Sequence, residues 1–332
     1  MMKSVPLLLA AAALAAAQPK IGHIEVFGNR RLSAERIVRA LDVAPGKALP
    51  RSRGEAEETL LELNQVARAH VEAFCCDEGE TVLYIGVQER GQPGLDLRLP
   101  PSGEVLLPAE IVTVYEDFTQ ALGRASGDDL TEDLSAGHSL MRGVTLRAMQ
   151  ERFVGLAELH AGLLREVLKQ SGDEDHRAIA AYVLGYVPDK AAIAEDLQQA
   201  LRDPAQGVRT NAARALKALA VRAAQPDSGI TIRTTWFVEM LNAPALSDRL
   251  EGARALLTLF DTLSSQTLAH LRERAAPALM EMARFRHLPH ALPAFLLLGK
   301  AAGLPDGEVE AAWLAGEREK LLATAAKALR KR

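Results

Sequence analysis

The chain has 332 residues, 48% of them hydrophobic and 4% aromatic, with a formal net charge of −4. That length exceeds one small core and suits two domains. The net acidic balance excludes bulk electrostatic attraction to nucleic acid or anionic lipid. Ala and Leu dominate the second half, which favours close-packed helices over sheets because both lose little side-chain entropy in a helix.

The first residues read as a targeting segment. Lys3 supplies a positive start, and Val5 to Ala17 form an apolar run of 13 residues. A spanning helix needs about 20. Ala15-Ala16-Ala17 place small residues where a signal peptidase cuts, so residues 1–17 are predicted to be a signal peptide and Gln18 the mature start. A retained anchor is the alternative. No Cys stands at the cleavage point, which excludes a lipoprotein. The cysteines are Cys75 and Cys76 alone. They are expected as two unpaired thiols at a strand end, with a vicinal or intermolecular disulfide as the other options.

Residues 20–90 carry a strand–helix–helix–strand–strand pattern. In Ile21 to Phe27, Ile24 and Val26 share a face. Ser33 is a candidate N-cap, followed by an apolar stripe of Ile37, Val38, Leu41 and Val43. Pro45-Gly46 breaks the chain. Glu55 to Val66 is predicted as a second helix with Leu60, Leu61 and Leu63 facing inward. Arg68–Cys76 and Thr81–Glu89 flank a Gly-containing connection and predict a hairpin. Ala69, Val71, Ala73 and Cys75 share one face, as do Leu83, Ile85 and Val87. His70, Glu72 and Phe74 alternate on the other face of their strand, making it a candidate partner-binding edge.

Ile24-Glu-Val-Phe-Gly-Asn29, Ser33-Ala-Glu-Arg-Ile37, Pro45-Gly46, Leu60-Leu-Glu-Leu63 and Val87-Gln-Glu89 together resemble a POTRA domain. The resemblance implies a three-stranded sheet with two helices on one face, residence in the bacterial envelope, and contact with polypeptide through a sheet edge. Such domains usually precede an outer-membrane barrel or follow a membrane helix. This sequence offers neither, so transport activity does not carry over.

Pro93, Pro100, Pro101, Pro108, Gly91, Gly94 and Gly103 mark residues 91–108 as a linker whose default is free domain motion. Residues 109–332 are helical in pattern. Ile111, Val112, Tyr115, Phe118 and Leu122 fit one stripe, 125–143 are irregular and acidic, and Arg147 to Gln170 make one long helix. A repeat then appears. Arg177-Ala-Ile-Ala-Ala-Tyr-Val-Leu184 aligns with Arg209-Thr-Asn-Ala-Ala-Arg-Ala-Leu216 and Arg249-Leu-Glu-Gly-Ala-Arg-Ala-Leu256, and weakly with His290-Ala-Leu-Pro-Ala-Phe-Leu-Leu297. The steps of 32, 40 and 41 residues bracket the two-helix solenoid period of about 40. Asp203-Pro204 before Val208-Arg209 makes this similar to a HEAT repeat. The resemblance implies that the Arg-bearing helices line the inner side, with helices near 190–202, 230–242 and 266–284 outside. One last helix over about 306–330 would cap the stack.

The fold class expected is therefore multidomain: a small α/β POTRA-like module (β-α-α-β-β) followed by an all-α HEAT-like superhelical solenoid. No phosphate loop, dinucleotide fingerprint, nucleophile elbow or zinc helix motif is present, and no cofactor, metal or catalytic residue is expected. His287 and His290 are three apart, but Pro289 is expected to break the helix between them. The acids Asp128, Asp129, Glu132 and Asp133 lack calcium-loop spacing. Arg177, Asp203, Arg209 and Arg249 are expected to tie hairpin to hairpin, Asp203 lying near Arg209. Arg214, Lys217 and Arg254, off the core stripe, are the candidate partner-facing residues of the solenoid. The function expected is a non-enzymatic envelope scaffold that binds other envelope proteins or polypeptide segments and assists outer-membrane protein or envelope-complex assembly. Its expected location is the periplasm or outside the cell, with outer-membrane association. A hydrolytic or other enzyme with its site in 125–143, and a cytoplasmic HEAT-repeat regulator, are the alternatives.

Overall fold

The computed structural model describes residues 19–77, 80–225 and 228–330; the signal peptide expected over 1–17 lies outside them. The N-terminal third is β1 (Ile21–Phe27), α1 (Ala34–Ala40), α2 (Arg53–Leu61), β2 (Val66–Asp77) and β3 (Glu80–Glu89). β3 is central, parallel to β1 and antiparallel to β2, so β2 is an edge strand. Ser33 caps α1 by accepting from the Arg36 N–H at 3.3 Å, as its sequence position predicts. The second helix starts and ends earlier than expected, because Ser52 caps it and Val66 already opens β2. Leu61 consequently points outward at 43% exposure, not into the core.

Strand alternation divides the sheet between two cores. Ile21, Val71, Leu83, Ile85 and Val87 pack with Ile37 and Leu60 beneath α1 and α2. Phe27, Val82 and Tyr84 on the opposite face join the core of the helical domain. Tyr84 is fully buried, and β3 is covered on both faces.

After α3 (Ala109–Leu122), residues 127–130 form a 3₁₀ turn, and β4 (Glu132–Asp133) pairs with β5 (Leu140–Met141) in a small hairpin. Helical hairpins follow: α4 (Val144–Gln170) with α5 (Glu174–Leu184), α6 (Lys190–Ala200) with α7 (Gln206–Ala223), α8 (Thr235–Met240) with α9 (Leu246–Leu259), α10 (Ser265–Met282) with α11 (Leu288–Ala302), and α12 (Asp306–Leu314) with α13 (Arg318–Arg330). α5, α7, α9, α11 and α13 pack successively as one layer, and α4, α6, α8, α10 and α12 back them. This is a two-layer helical solenoid. All four aligned segments of the repeat, including the weak one at His290, fall on the first layer. α4 departs from helical geometry at His160. The single last helix expected over 306–330 is two, divided at Gly316 with φ of +70°, a conformation that costs glycine little. Pro289 stands in the first turn of α11, where a missing N–H is tolerated, so it opens that helix and does not break it. Cys75 is disulfide-bonded, which corrects the expectation of unpaired thiols; the side chain of Cys76 lies outside the described residues. Among the described residues no helix is long and apolar enough to cross a membrane.

Candidate interaction surfaces

The turns inside successive hairpins lie along one rim of the solenoid, and the repeat arginines build a ladder there. Arg177 sends Nε and Nη2 to the Asp203 carboxylate at 3.0 and 2.9 Å, and Nη1 to the carbonyls of Ser171 and Gly172 at 2.9 and 3.2 Å. Arg209 repeats the arrangement one hairpin on. Its Nη1 bonds the carbonyls of Asp203 and Pro204, both at 2.8 Å, while Nε and Nη2 reach Asp248 Oδ2 at 3.0 and 2.7 Å. Arg249 bonds the Ala243 carbonyl at 2.7 Å and Glu281 at 3.2 Å. Each guanidinium thus closes its own turn and holds the acid of the next hairpin with charge-assisted bonds. Asp203 does lie near Arg209, but through its carbonyl; its carboxylate belongs to Arg177. Burial opposes ionisation of Asp203, yet the bonds from Arg177 and Arg98 and the Ala205 N–H hold its carboxyl below the usual range.

The N-terminal third lies across the same rim in reverse order. Gly28 N–H and Arg30 Nη1 join Arg249 on Glu281, at 3.2 and 2.6 Å. The Phe27 ring carries the Arg249 guanidinium 4.5 Å from its centroid and meets Phe285 edge-on at 5.5 Å. Tyr84 Oη and His290 Nδ1 are 2.9 Å apart. Further along, Arg98 of the linker joins Arg177 on Asp203, and Arg202 binds Asp96. Gly103 donates to the Gln170 carbonyl at 2.7 Å. Residues 91–108 are therefore fastened to the helical turns and do not act as a free tether.

This docking uses the face first read as partner-binding. Phe74 packs on His287 and His290, with ring centroids 4.8 and 4.6 Å away. Glu72 accepts from the Leu246 N–H at 2.8 Å and so caps α9. Burial raises its carboxyl above the usual range, against the pull of His70 and the Leu246 N–H. His70 Nδ1 lies 3.0 Å from Glu57. Glu72 is thus occupied within the chain, and Phe74 is engaged by the two histidines on one side while staying 36% exposed, a partial correction that follows from the helices packing on this face of the sheet. Only His70 among the three also lines a cleft.

That cleft, about 460 Å³, separates β2 and α2 from the starts of the inner helices. Arg53, Leu61, Ala67, Ala69 and His70 form one wall, and Ala178, Gln206 and Gly207 part of the other. A second hollow of about 680 Å³ shares Ala178, Gln206 and Gly207 and extends it towards Tyr115 and Thr119 on α3. The outer edge of β2 is partly blocked, because the Glu57 carboxylate accepts the Val71 N–H at 3.0 Å. Alternation along an antiparallel strand directs the Ala69 N–H to the same outer edge.

On the inner layer, Arg214 and Lys217 do not stand open as expected. Both bind Glu132 of β4, at 3.2 and 2.5 Å. Burial opposes ionisation of Glu132, but the two cations bring its carboxyl down to about 2. Arg254 is 41% exposed and holds Glu251 on its own helix at 2.6 Å. Two more acids of this stretch are paired locally, Asp128 of the 3₁₀ turn with Arg142 and Asp133 with Ser135. Among the described residues no three His, Cys, Asp or Glu side chains converge as metal ligands would. Sequence reasoning missed Asp248, Glu281 and Arg98, and weighed Glu132 only as one of four acids without calcium-loop spacing. Asp248 stands one residue before a repeat Arg and Asp203 six before, so repeat alignment could not reveal both as ladder acids.

The sequence model of the HEAT repeats matches residues 162–228, which begin just beyond the bend in α4 and end past α7. The chain is similar there to HEAT repeats, in agreement with the helical solenoid. No curated protein matches it, and no solved structure does.

Proposed function

We propose that this chain is a non-enzymatic polypeptide-binding scaffold of the bacterial envelope, formed from a POTRA-like module docked on a HEAT-like solenoid. The order β-α-α-β-β and the mixed three-stranded sheet with both helices on one face support the POTRA-like reading, and the leader-like first residues support export. HEAT repeats generally mediate protein–protein interaction, which fits polypeptide as the partner.

One observation carries the reading: the outer edge of β2 runs along an open cleft whose far wall is solenoid. An added strand there gains main-chain hydrogen bonds from β2, and alternate side chains reach the helical wall. The envelope partners this would serve are segments exposed before assembly, in outer-membrane proteins or envelope complexes.

The test uses purified mature protein with a photo-crosslinking residue at Ala67 and a dye-labelled, denatured outer-membrane polypeptide diluted from urea. Crosslinks are expected. They should disappear in Ala69→Pro, which removes one outward N–H while leaving the β2–β3 ladder intact. Absence of crosslinks, or an unaffected proline variant, overturns strand addition. Mass spectrometry of the natural N-terminus checks location: Gln18 as first residue supports export, and an intact Met1 supports the cytoplasmic alternative.

A further inference from the structure

The inner layer carries a second surface, away from the β2 cleft. Its chemistry is displayed by a contact the chain makes with itself. Glu132 stands on a short extended strand and places its carboxylate between Arg214 and Lys217, one turn apart on α7. Ser139 Oγ adds a bond to the same carboxylate at 2.8 Å. This is a carboxylate seat built by the inner helices and filled by an extended segment.

The next repeat carries the arginine of that seat without the hairpin glutamate, Leu257 standing where α7 has Lys217. Arg214 is the fifth residue after Arg209, and Arg254 the fifth after Arg249, so the two hold one position in successive repeats. α7 and α9 are neighbours in the layer, and Glu251 on α9 is close enough to act electrostatically on Arg214. Arg214 is covered to 24% exposure by the hairpin, whereas Arg254 is 41% exposed. Its partner is Glu251, a weak contact within one helix. The second carboxylate oxygen of the buried Glu251 has no hydrogen-bond partner among the described residues, so the local pairing is incomplete.

We infer that Arg254 marks a docking position for an acidic, extended polypeptide segment, whose carboxylate takes the place on α9 that Glu132 takes on α7. Charge complementarity selects the partner: the exposed group is a guanidinium, and the neighbouring repeat shows it seated by a glutamate on an extended strand. The inference rests on the solenoid being a polypeptide-binding surface but uses none of the cleft residues. Failure here with crosslinking at Ala67 intact would remove only this site.

Fluorescence anisotropy with a dye-labelled Glu-Ser repeat peptide tests it, a Gln-Ser repeat serving as the neutral probe. The wild-type chain is expected to bind the acidic probe and not the neutral one. Arg254→Gln should weaken binding about fivefold, the scale of a partly exposed ion pair. Glu251→Gln should strengthen it, because Arg254 is released from its local competitor. That gain cannot come from a damaged fold. Equal binding of both probes, Arg254→Gln binding like wild type, or the same weakening in the remote Lys320→Gln would overturn the inference.

Discussion

The guanidinium of Arg209 lies buried between two hairpins, its Nη2 2.7 Å from Asp248 Oδ2 and its Nη1 2.8 Å from the carbonyl of Asp203. Arg209 and Asp248 are only 7% and 0% exposed. A pair taken so far out of water is costly to desolvate, and breaking it leaves an uncompensated buried charge. Arg209→Leu is therefore expected to lose about 3–5 kcal/mol, measured by urea denaturation. Adding Asp248→Leu should recover a large part of that loss, since the stranded carboxylate is then gone. Arg209→Lys should not substitute, because an ammonium cannot serve two carbonyls and a carboxylate through a planar fork. A double variant no more stable than Arg209→Leu would contradict this account.

Acid should loosen two places by the same route. Glu89 is fully buried; burial resists its ionisation, but the N–H groups of Leu32, Arg31 and Arg30 hold its carboxyl down to about 2. Glu132 sits equally low, at about 2, through Lys217 and Arg214. In the unfolded chain both titrate near 4.5. A depressed carboxyl stabilises the fold above its unfolded value, and that contribution disappears as pH falls from about 4.5 towards 2. For Glu89 the shift corresponds to about 3 kcal/mol. Glu89→Gln should lower stability at pH 7 and flatten the wild-type pH dependence between 5 and 2, followed by thermal melting. An unchanged slope would exclude Glu89 as its source.

Much of this architecture was legible in the sequence. Period-2 alternation placed Leu83, Ile85 and Val87 on one face, and the recurring Arg–Ala–Leu pattern located α5, α7 and α9, with α11 marked by a weaker match that begins at His290. Alternation, however, states which side chains share a face and not what covers it. His70, Glu72 and Phe74 do alternate together, but a solenoid more than 150 residues downstream packs on them. The linker misled for a related reason. Pro and Gly report an irregular backbone, and residues 91–108 are indeed outside helix and strand; their main-chain hydrogen bonds at Arg98 and Gly103 go to turns far away in sequence. The Glu132 seat was invisible because a long-range ion pair leaves no spacing rule.

The docking of the N-terminal third makes a separate prediction through Phe27. Its ring fills the junction with Phe285, Tyr84 and the Arg249 guanidinium. Phe27→Ala should cost about 3–5 kcal/mol. The loss should appear first as undocking, because the second sheet face keeps its own core with α1 and α2. Limited proteolysis reports this directly: residues 91–108 should resist cleavage in the wild-type chain and be cut rapidly in the variant. A linker equally sensitive in both would show that docking does not protect it.

Gly86 gives the sharpest test of how closely the sheet approaches the solenoid. It lies in the middle of β3, level with Phe27 on β1 and His70 on β2. A Cβ added there would stand 1.8 Å from the Pro244 carbonyl oxygen and 2.7 Å from the Phe27 ring. Neither neighbour can yield easily, since one is main chain in the turn before α9 and the other is packed on Arg249. A strand glycine is usually a weakness, and an alanine there would ordinarily stabilise the strand by restricting the unfolded chain. Here the sign should reverse. Gly86→Ala is expected to separate sheet from solenoid, enlarging the radius of gyration in small-angle scattering and exposing Tyr84, while amide protection in the β2–β3 ladder persists. The same substitution at Gly91, where φ is +80° and no atom lies within 4 Å of the added carbon, should strain one turn without moving the domains apart. If Gly86→Ala leaves the scattering profile unchanged, the contact between β3 and the turn at Pro244 is not what sets the spacing of the two domains.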